Sequence, residues 1–131
     1  MKGLPMPSSP SSVLADYPDR RFQVWDYRVG HGSLLIRSPQ GPDIGDNVDL
    51  IFVGVEYLAV PHHMPGLVVK EGTATDLPPL TRPLRQQTLV YRLISAGNTY
   101  LVAAVACRID INRHDIFASP FELPRWTSQT E

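Results

Sequence analysis

Apolar and polar residues alternate along several stretches of this chain, a pattern typical of β-strands that bury one face. The first stretch covers residues 22–29, and a second follows at residues 34–37 after a short glycine-containing segment. Such a segment is typical of a tight turn between antiparallel strands, so we predict a hairpin centred on residues 31–32. The register of this hairpin places Asp26 opposite Arg37 and leaves one face apolar.

A longer stretch, residues 48–60, has apolar side chains at both odd and even positions. This pattern predicts a strand that is buried on both faces. Because its 13 residues exceed the usual strand length of about 3–10, we predict that Gly54 marks a bend or a bulge.

Residues 88–95 and 99–111 form the clearest hairpin in the sequence. Glycine and asparagine both tolerate a positive φ, so we predict that residues 97–98 are the two turn residues. This turn places Arg92 opposite Ala103 and pairs large side chains with small ones. We expect this hairpin to lie in the central part of the sheet.

Changes in composition divide the chain into three parts. Residues 1–20 are rich in proline and serine and are predicted to form an N-terminal arm, followed by a β domain at residues 21–118. Residues 119–131 are predicted to be an extended tail that docks on the domain. Strand patterns recur between turn signals and almost no helical periodicity is present. The predicted fold is therefore all-β and mainly antiparallel: a single-domain β-sandwich or partly open barrel of about six to seven strands with at most one or two short helical turns.

The composition also bears on location and partners. The chain has 131 residues, with 12 Lys or Arg against 13 Asp or Glu, and a formal net charge of −1. Binding to nucleic acid requires a surplus of positive charge, so we expect no nucleic-acid partner. We expect a cytoplasmic protein without a secretory leader or a membrane partner, because the apolar runs are short and the single cysteine, Cys107, cannot form an internal disulfide.

Few residues suggest a catalytic or metal-binding motif. His62 and His63 are adjacent, so in a strand they point to opposite faces, and no metal-ligand spacing accompanies them. No nucleophile or phosphate-binding motif occurs, and Cys107 on its apolar strand is expected to be a buried, inert thiol. We therefore predict no metal, no cofactor and no catalytic residue. Whether the protein is an enzyme stays open, with the balance towards a protein that is not.

Glu56 is the most informative polar residue, because apolar residues flank it on both sides. Three interpretations are open: a buried carboxylate paired with an arginine of a neighbouring strand, a general acid or base with a raised pKa, and a side chain at a solvated edge. Residues 71–87 form a long polar connection, either a strap over one end of the sheet or a binding loop. The candidate ligand-binding residues are Glu56, Arg82, Arg85 and Arg92.

Loops and tails carry arginine and aromatic residues, which contribute much of the binding energy at protein interfaces. The first hypothesis is therefore an interaction module that binds a protein partner and also associates with itself, as a homodimer or a larger homo-oligomer. The alternative is a small-molecule-binding β protein, or an enzyme, with a pocket near Glu56 and residues 71–87. A buried cavity lined by polar groups would favour the alternative, whereas a filled core and a flat apolar patch would favour the first hypothesis.

Overall fold

A computed structural model describes residues 13–122 of the chain. These residues form one antiparallel sheet of eight strands, with short 3-10 turns at Ala74–Asp76 and Pro120–Glu122. The predicted all-β, mainly antiparallel fold is confirmed. No helix in this part of the chain is long and apolar enough to cross a membrane. The strands are β1 (Val13–Arg28), β2 (Ser33–Ser38), β3 (Asn47–Val53), β4 (Tyr57–Ala59), β5 (His63–Glu71), β6 (Leu89–Ser95), β7 (Asn98–Ala104) and β8 (Ala106–Asn112).

The strands lie in the order β4-β7-β6-β5-β1-β2-β3-β8, so β4 and β8 are the edges of an open sheet. Each edge strand follows directly from a strand near the opposite edge: β4 follows β3 after residues 54–56, and β8 follows β7 after Val105. β3 pairs with β8, and β4 pairs with β7. The sheet therefore curls until its edges meet at two bends, one at residues 54–56 and one at Val105. There the Val105 N–H donates to the Val53 carbonyl at 2.9 Å.

Gly54 allows the bend between β3 and β4. Its φ of +68° lies in the left-handed region that glycine adopts without steric cost. A Cβ at this position would lie 2.8 Å from Cγ2 of Val105, which occupies the facing bend. The predicted bend at Gly54 is confirmed. The two bends also explain why eight strands are present rather than six to seven, because each divides one long ribbon in two.

The hydrophobic core fills the concave side of the curled sheet. Strands β1, β2, β3, β5, β6 and β7 all contribute buried side chains, and the rings of Phe52 and Tyr91 pack edge to face with their centroids 5.5 Å apart. β2 is buried at all six positions, because the C-terminal segment near residues 116–118 covers its convex face. Both faces of this part of the sheet are therefore protected from water.

The hairpin that joins β1 and β2 is present, but the predicted register was wrong. Residues 29–32 form a four-residue turn, and the ladder has a bulge between Val24 and Asp26. The turn alone sets the pairs next to it and places Asp26 opposite Leu35 instead of Arg37, whereas the bulge shifts only the pairs beyond Asp26. The longer turn has one residue with a positive φ, Gly32, whereas either primed turn centred on residues 31–32 would require a positive φ at His31.

The hairpin of β6 and β7 is also present, and both strands lie inside the sheet. Its turn residues are Ala96 and Gly97, with φ of 51° and 80°, so the turn begins one residue earlier than predicted. Arg92 consequently faces Leu101, and the predicted pairing with Ala103 was wrong. The prediction failed because alanine rarely adopts the positive φ that this turn requires.

The division into arm, domain and tail stays a prediction. Residues 13–20 of the predicted arm belong to β1, whose first part pairs with β5. In the predicted tail, Ser119 and Pro120 are buried. The remaining residues of the arm and tail, 1–12 and 123–131, lie outside the described residues.

Candidate functional site

Glu56 lies in the bend between β3 and β4 and not inside a strand. Its backbone N–H donates to the Ala103 carbonyl at 2.8 Å, which fastens the bend to β7. The side chain keeps 20% of its surface exposed and is bound by Arg85 of the 71–87 connection and by Thr88, the residue that follows it. The interpretation of Glu56 as a fully buried carboxylate paired with an arginine of a neighbouring strand was therefore wrong, because the bend turns the side chain away from the core.

Three groups bind the Glu56 carboxylate: two belong to Arg85 of the 71–87 connection and one to Thr88, the residue that follows it. The Arg85 backbone N–H donates to Oε1 at 3.1 Å, and the Thr88 hydroxyl donates to Oε2 at 2.7 Å. The Arg85 Nε lies 3.6 Å from the same Oε2. Glu56 thus fixes the end of the 71–87 connection to the bend, and residues 80–85 lie beside the bend.

These contacts keep Glu56 ionised. The Thr88 hydrogen bond has the largest effect and lowers the pKa of the Glu56 carboxyl group below its ordinary value of 4.5. Partial burial acts in the opposite direction, and the Arg85 backbone together with the charges of Arg85 and Arg82 lowers the pKa further. A carboxylate stabilised in this way holds no proton at neutral pH, so it is a poor general acid.

A groove of about 680 Å³ lies between the bend and the connection. Val55, Glu56 and Tyr57 form one wall, and residues 80–85 form the other. Arg82 is exposed, and the side chain of Arg85 keeps 75% of its surface in solvent. The groove therefore presents two solvated guanidinium groups beside one carboxylate that already has hydrogen-bond partners.

Arg92 does not belong to this groove, although it was grouped with the other three candidates. It lies on β6, where its Nε donates to the Glu71 carbonyl at 3.4 Å. The structure therefore brings together Glu56, Arg82 and Arg85, but leaves Arg92 two strands away from β4.

A buried ion pair on the convex face of the sheet was not predicted. Arg37 on β2 and Asp49 on β3 are directly opposite each other and have no exposed side-chain surface. Arg37 Nε donates to Oδ1 at 2.7 Å and Nη2 donates to Oδ2 at 3.0 Å, a bidentate arrangement. A sequence signal existed, because pairing residues 34–38 with 48–52 in antiparallel register places these two charges opposite each other.

The rest of this cluster is fully hydrogen-bonded. Arg37 Nη1 donates to the carbonyls of Ile116 and Ala118, each at 2.8 Å, and the Asn112 amide donates to Asp49 at 2.9 Å. Throughout residues 13–122, every buried side-chain nitrogen or oxygen has a partner. The cluster therefore holds the C-terminal segment against the sheet and has no unpaired group aimed at a ligand.

The other residues singled out in the sequence have ordinary surroundings. The exposed rings of His62 and His63 contact each other with centroids 4.5 Å apart, and no group of three metal-binding side chains exists within the described part of the chain. Cys107 is partly buried, and burial raises the pKa of its thiol to about 12. At neutral pH this thiol is protonated and therefore a poor nucleophile.

Comparison with family models, curated proteins and solved structures finds no match to this chain.

Proposed function

We propose that the protein is a non-enzymatic, cytoplasmic interaction module, and that the groove beside Glu56 binds an acidic segment of a protein partner. The observation that carries this proposal is the pair of exposed guanidinium groups on the loop at residues 80–85. Arginine binds carboxylates through two parallel hydrogen bonds, which makes it well suited to recognise glutamate and aspartate side chains.

The charge of the groove supports an anionic partner. Among residues 13–122, its lining contains Arg82 and Arg85 but only one carboxylate, Glu56. Because Glu56 already accepts hydrogen bonds from the Arg85 backbone and Thr88, it needs no further donor. The lining therefore has an excess of one positive charge, with guanidinium donors facing solvent.

The chemistry of the lining supports binding rather than catalysis. General acid–base catalysis requires titratable groups held near a substrate with pKa values close to the working pH. Within the described part of the chain, Glu56 is the only carboxylate that lines the groove, its pKa is lowered, and no histidine, cysteine or lysine lines it.

A small anionic molecule is the second candidate for the same groove. Its volume of about 680 Å³ lies in the range of known small-molecule sites, roughly 300–1,000 Å³. We favour a protein partner because the two arginines lie in solvent, whereas a small ligand is usually enclosed by its site. The cytoplasmic location rests on the single cysteine, which suits a reducing compartment.

The proposal is tested by fluorescence anisotropy with a labelled glutamate-rich peptide and the same peptide with glutamine at every glutamate position. We expect the acidic peptide to bind and the glutamine peptide to bind at least about tenfold more weakly. Arg82→Glu should weaken binding of the acidic peptide about tenfold, because it replaces an attraction with a repulsion.

Arg113→Glu is the matched control, because Arg113 is an exposed arginine outside the groove. Equal weakening by both substitutions would show that the peptide binds by overall charge, and the proposal would be wrong. Competition by free citrate at lower concentrations than the peptide, with the same dependence on Arg82, would favour the small-anion candidate instead.

A further inference from the structure

The edge strand β8 has an apolar row that the fold leaves in solvent. Ile109 and Ile111 face Leu50 and Val48 across the β3 ladder, so they point to the same side as the core. They nevertheless keep 40% and 57% of their surfaces exposed. Large apolar side chains in a row at a sheet edge are typical of a surface that another strand covers.

The backbone of β8 is also available for pairing along its outer side. β8 pairs with β3 on one side and is the last strand of the sheet, so no strand within residues 13–122 pairs with its other side. Because orientation alternates along an antiparallel ladder, every second residue of β8 directs its N–H and C=O groups to that open side.

The charges of β8 indicate which strand can pair with its open edge. Arg108 and Asp110 are exposed on the opposite face from the isoleucines and lie two residues apart, on either side of Ile109. When two copies of β8 pair antiparallel about a two-fold axis at Ile109, Arg108 of each copy lies opposite Asp110 of the other. The same register places Ile109 opposite Ile109 and Cys107 opposite Ile111, so the apolar row continues across the pair.

Neighbouring symmetric registers are unfavourable. An axis at residue 108 places the two copies of Arg108 opposite each other, and an axis at residue 110 does the same for Asp110. Like charges that are directly opposite destabilise a sheet, whereas opposite charges stabilise it. The sequence of β8 is thus complementary to itself in one antiparallel register, as an interface with two-fold symmetry requires.

We propose that two copies of this chain form a dimer through antiparallel pairing of their β8 edges, with the two-fold axis at Ile109. The partner at this surface is a second copy, which gives the self-association expected from the sequence a defined interface. The interface shares no residue with the Glu56 groove, so failure of one proposal leaves the other standing.

Charge reversal tests the register by sedimentation equilibrium. We expect the parent to be a dimer at tens of micromolar, and Arg108→Glu or Asp110→Arg to raise the dimer dissociation constant about tenfold. The double variant Arg108→Glu/Asp110→Arg restores opposite charges across the interface, so it should return the constant to within about threefold of the parent. A monomeric parent, or a double variant as weak as the single variants, would overturn the proposal.

A disulfide tests the same register without depending on charge. In the Cys107→Ser background, Ile109→Cys brings two thiols to directly opposite positions, where Cα atoms of paired residues are about 4.5–5.5 Å apart and within reach of a disulfide. Oxidation should give a covalent dimer that keeps the melting temperature of the reduced form. Leu58→Cys on the other edge, β4, is the matched control. Cross-linking through residue 58 and not through residue 109 would place the interface elsewhere and refute the proposal.

Discussion

Replacing Arg37 with methionine tests the role of the buried ion pair. The substitution removes both bonds to Asp49 and the two bonds to the Ile116 and Ala118 carbonyls, while keeping a long side chain in the same space. Asp49 is then left fully buried without its cationic partner. Removing one partner of a buried pair costs about 3–5 kcal/mol, most of which is the desolvation of the remaining charge.

For a chain of this size, such a loss lowers the melting temperature by roughly 10–20 °C. The free energy of unfolding is measured by urea denaturation followed by circular dichroism, with Arg113→Met as the control for loss of an exposed arginine. The double variant Arg37→Met/Asp49→Leu removes both charges, so it should be more stable than Arg37→Met alone. A single variant within about 1 kcal/mol of the parent would refute the view that this pair fastens the C-terminal segment to the sheet.

Two further predictions concern the bend between β3 and β4. The folded state holds the pKa of Glu56 below its unfolded value of 4.5, so Glu56 stabilises the fold above that pH, and this contribution disappears as the pH falls through the lowered folded-state pKa. Glu56→Gln should therefore lower the free energy of unfolding at pH 7, by less than Arg37→Met does. Between about pH 5 and 3 the melting temperature of this variant should fall less steeply than that of the parent. An equally steep fall in both proteins would contradict the assigned hydrogen bonds. Gly54→Ala should lower the free energy of unfolding by about 1–3 kcal/mol, because alanine would have to adopt a positive φ and its Cβ would lie 2.8 Å from Val105. Gly97 also has a positive φ, but the space around its Cβ is open, so Gly97→Ala should lower the free energy of unfolding less than Gly54→Ala in the same denaturation experiment. Equal losses would show that the contact with Val105 is unimportant.

The sequence carried enough information for the fold class and for one of its bends. Alternating apolar residues depend only on which face of a strand is buried, and this local property identified most strands. The length of the 48–60 stretch and the glycine within it located the bend at Gly54. These predictions succeeded because their physical causes act over a few neighbouring residues.

Pairing between strands was harder to predict. Register depends on the backbone conformation of the turns, and the side chains of a turn favour one conformation without determining it. Ala96 adopts a φ of 51° despite its Cβ, and this choice alone moves the β6–β7 register by two residues. The four-residue turn at residues 29–32 similarly separates Asp26 from Arg37. Neither feature has a distinct composition in the sequence.

The candidate site was predictable only in part. Glu56 and the arginines of the 71–87 connection were selected because charged groups stood near apolar strands. The partner of Glu56 was missed, because Thr88 lies 32 residues away and reaches it only through the path of the connection. Arg92 was included because the assumed double burial of Glu56 required an arginine on a neighbouring strand, but it does not line the groove.

Chemical-shift mapping of the ¹⁵N-labelled protein with the glutamate-rich peptide shows whether the groove beside Glu56 is the binding surface. We expect the largest changes in backbone amide shifts at residues 55–57 and 80–85, and we expect Arg82→Glu to remove them. Saturable changes confined to other surfaces, such as β8, or no change in the groove at peptide concentrations that saturate binding, would contradict this expectation.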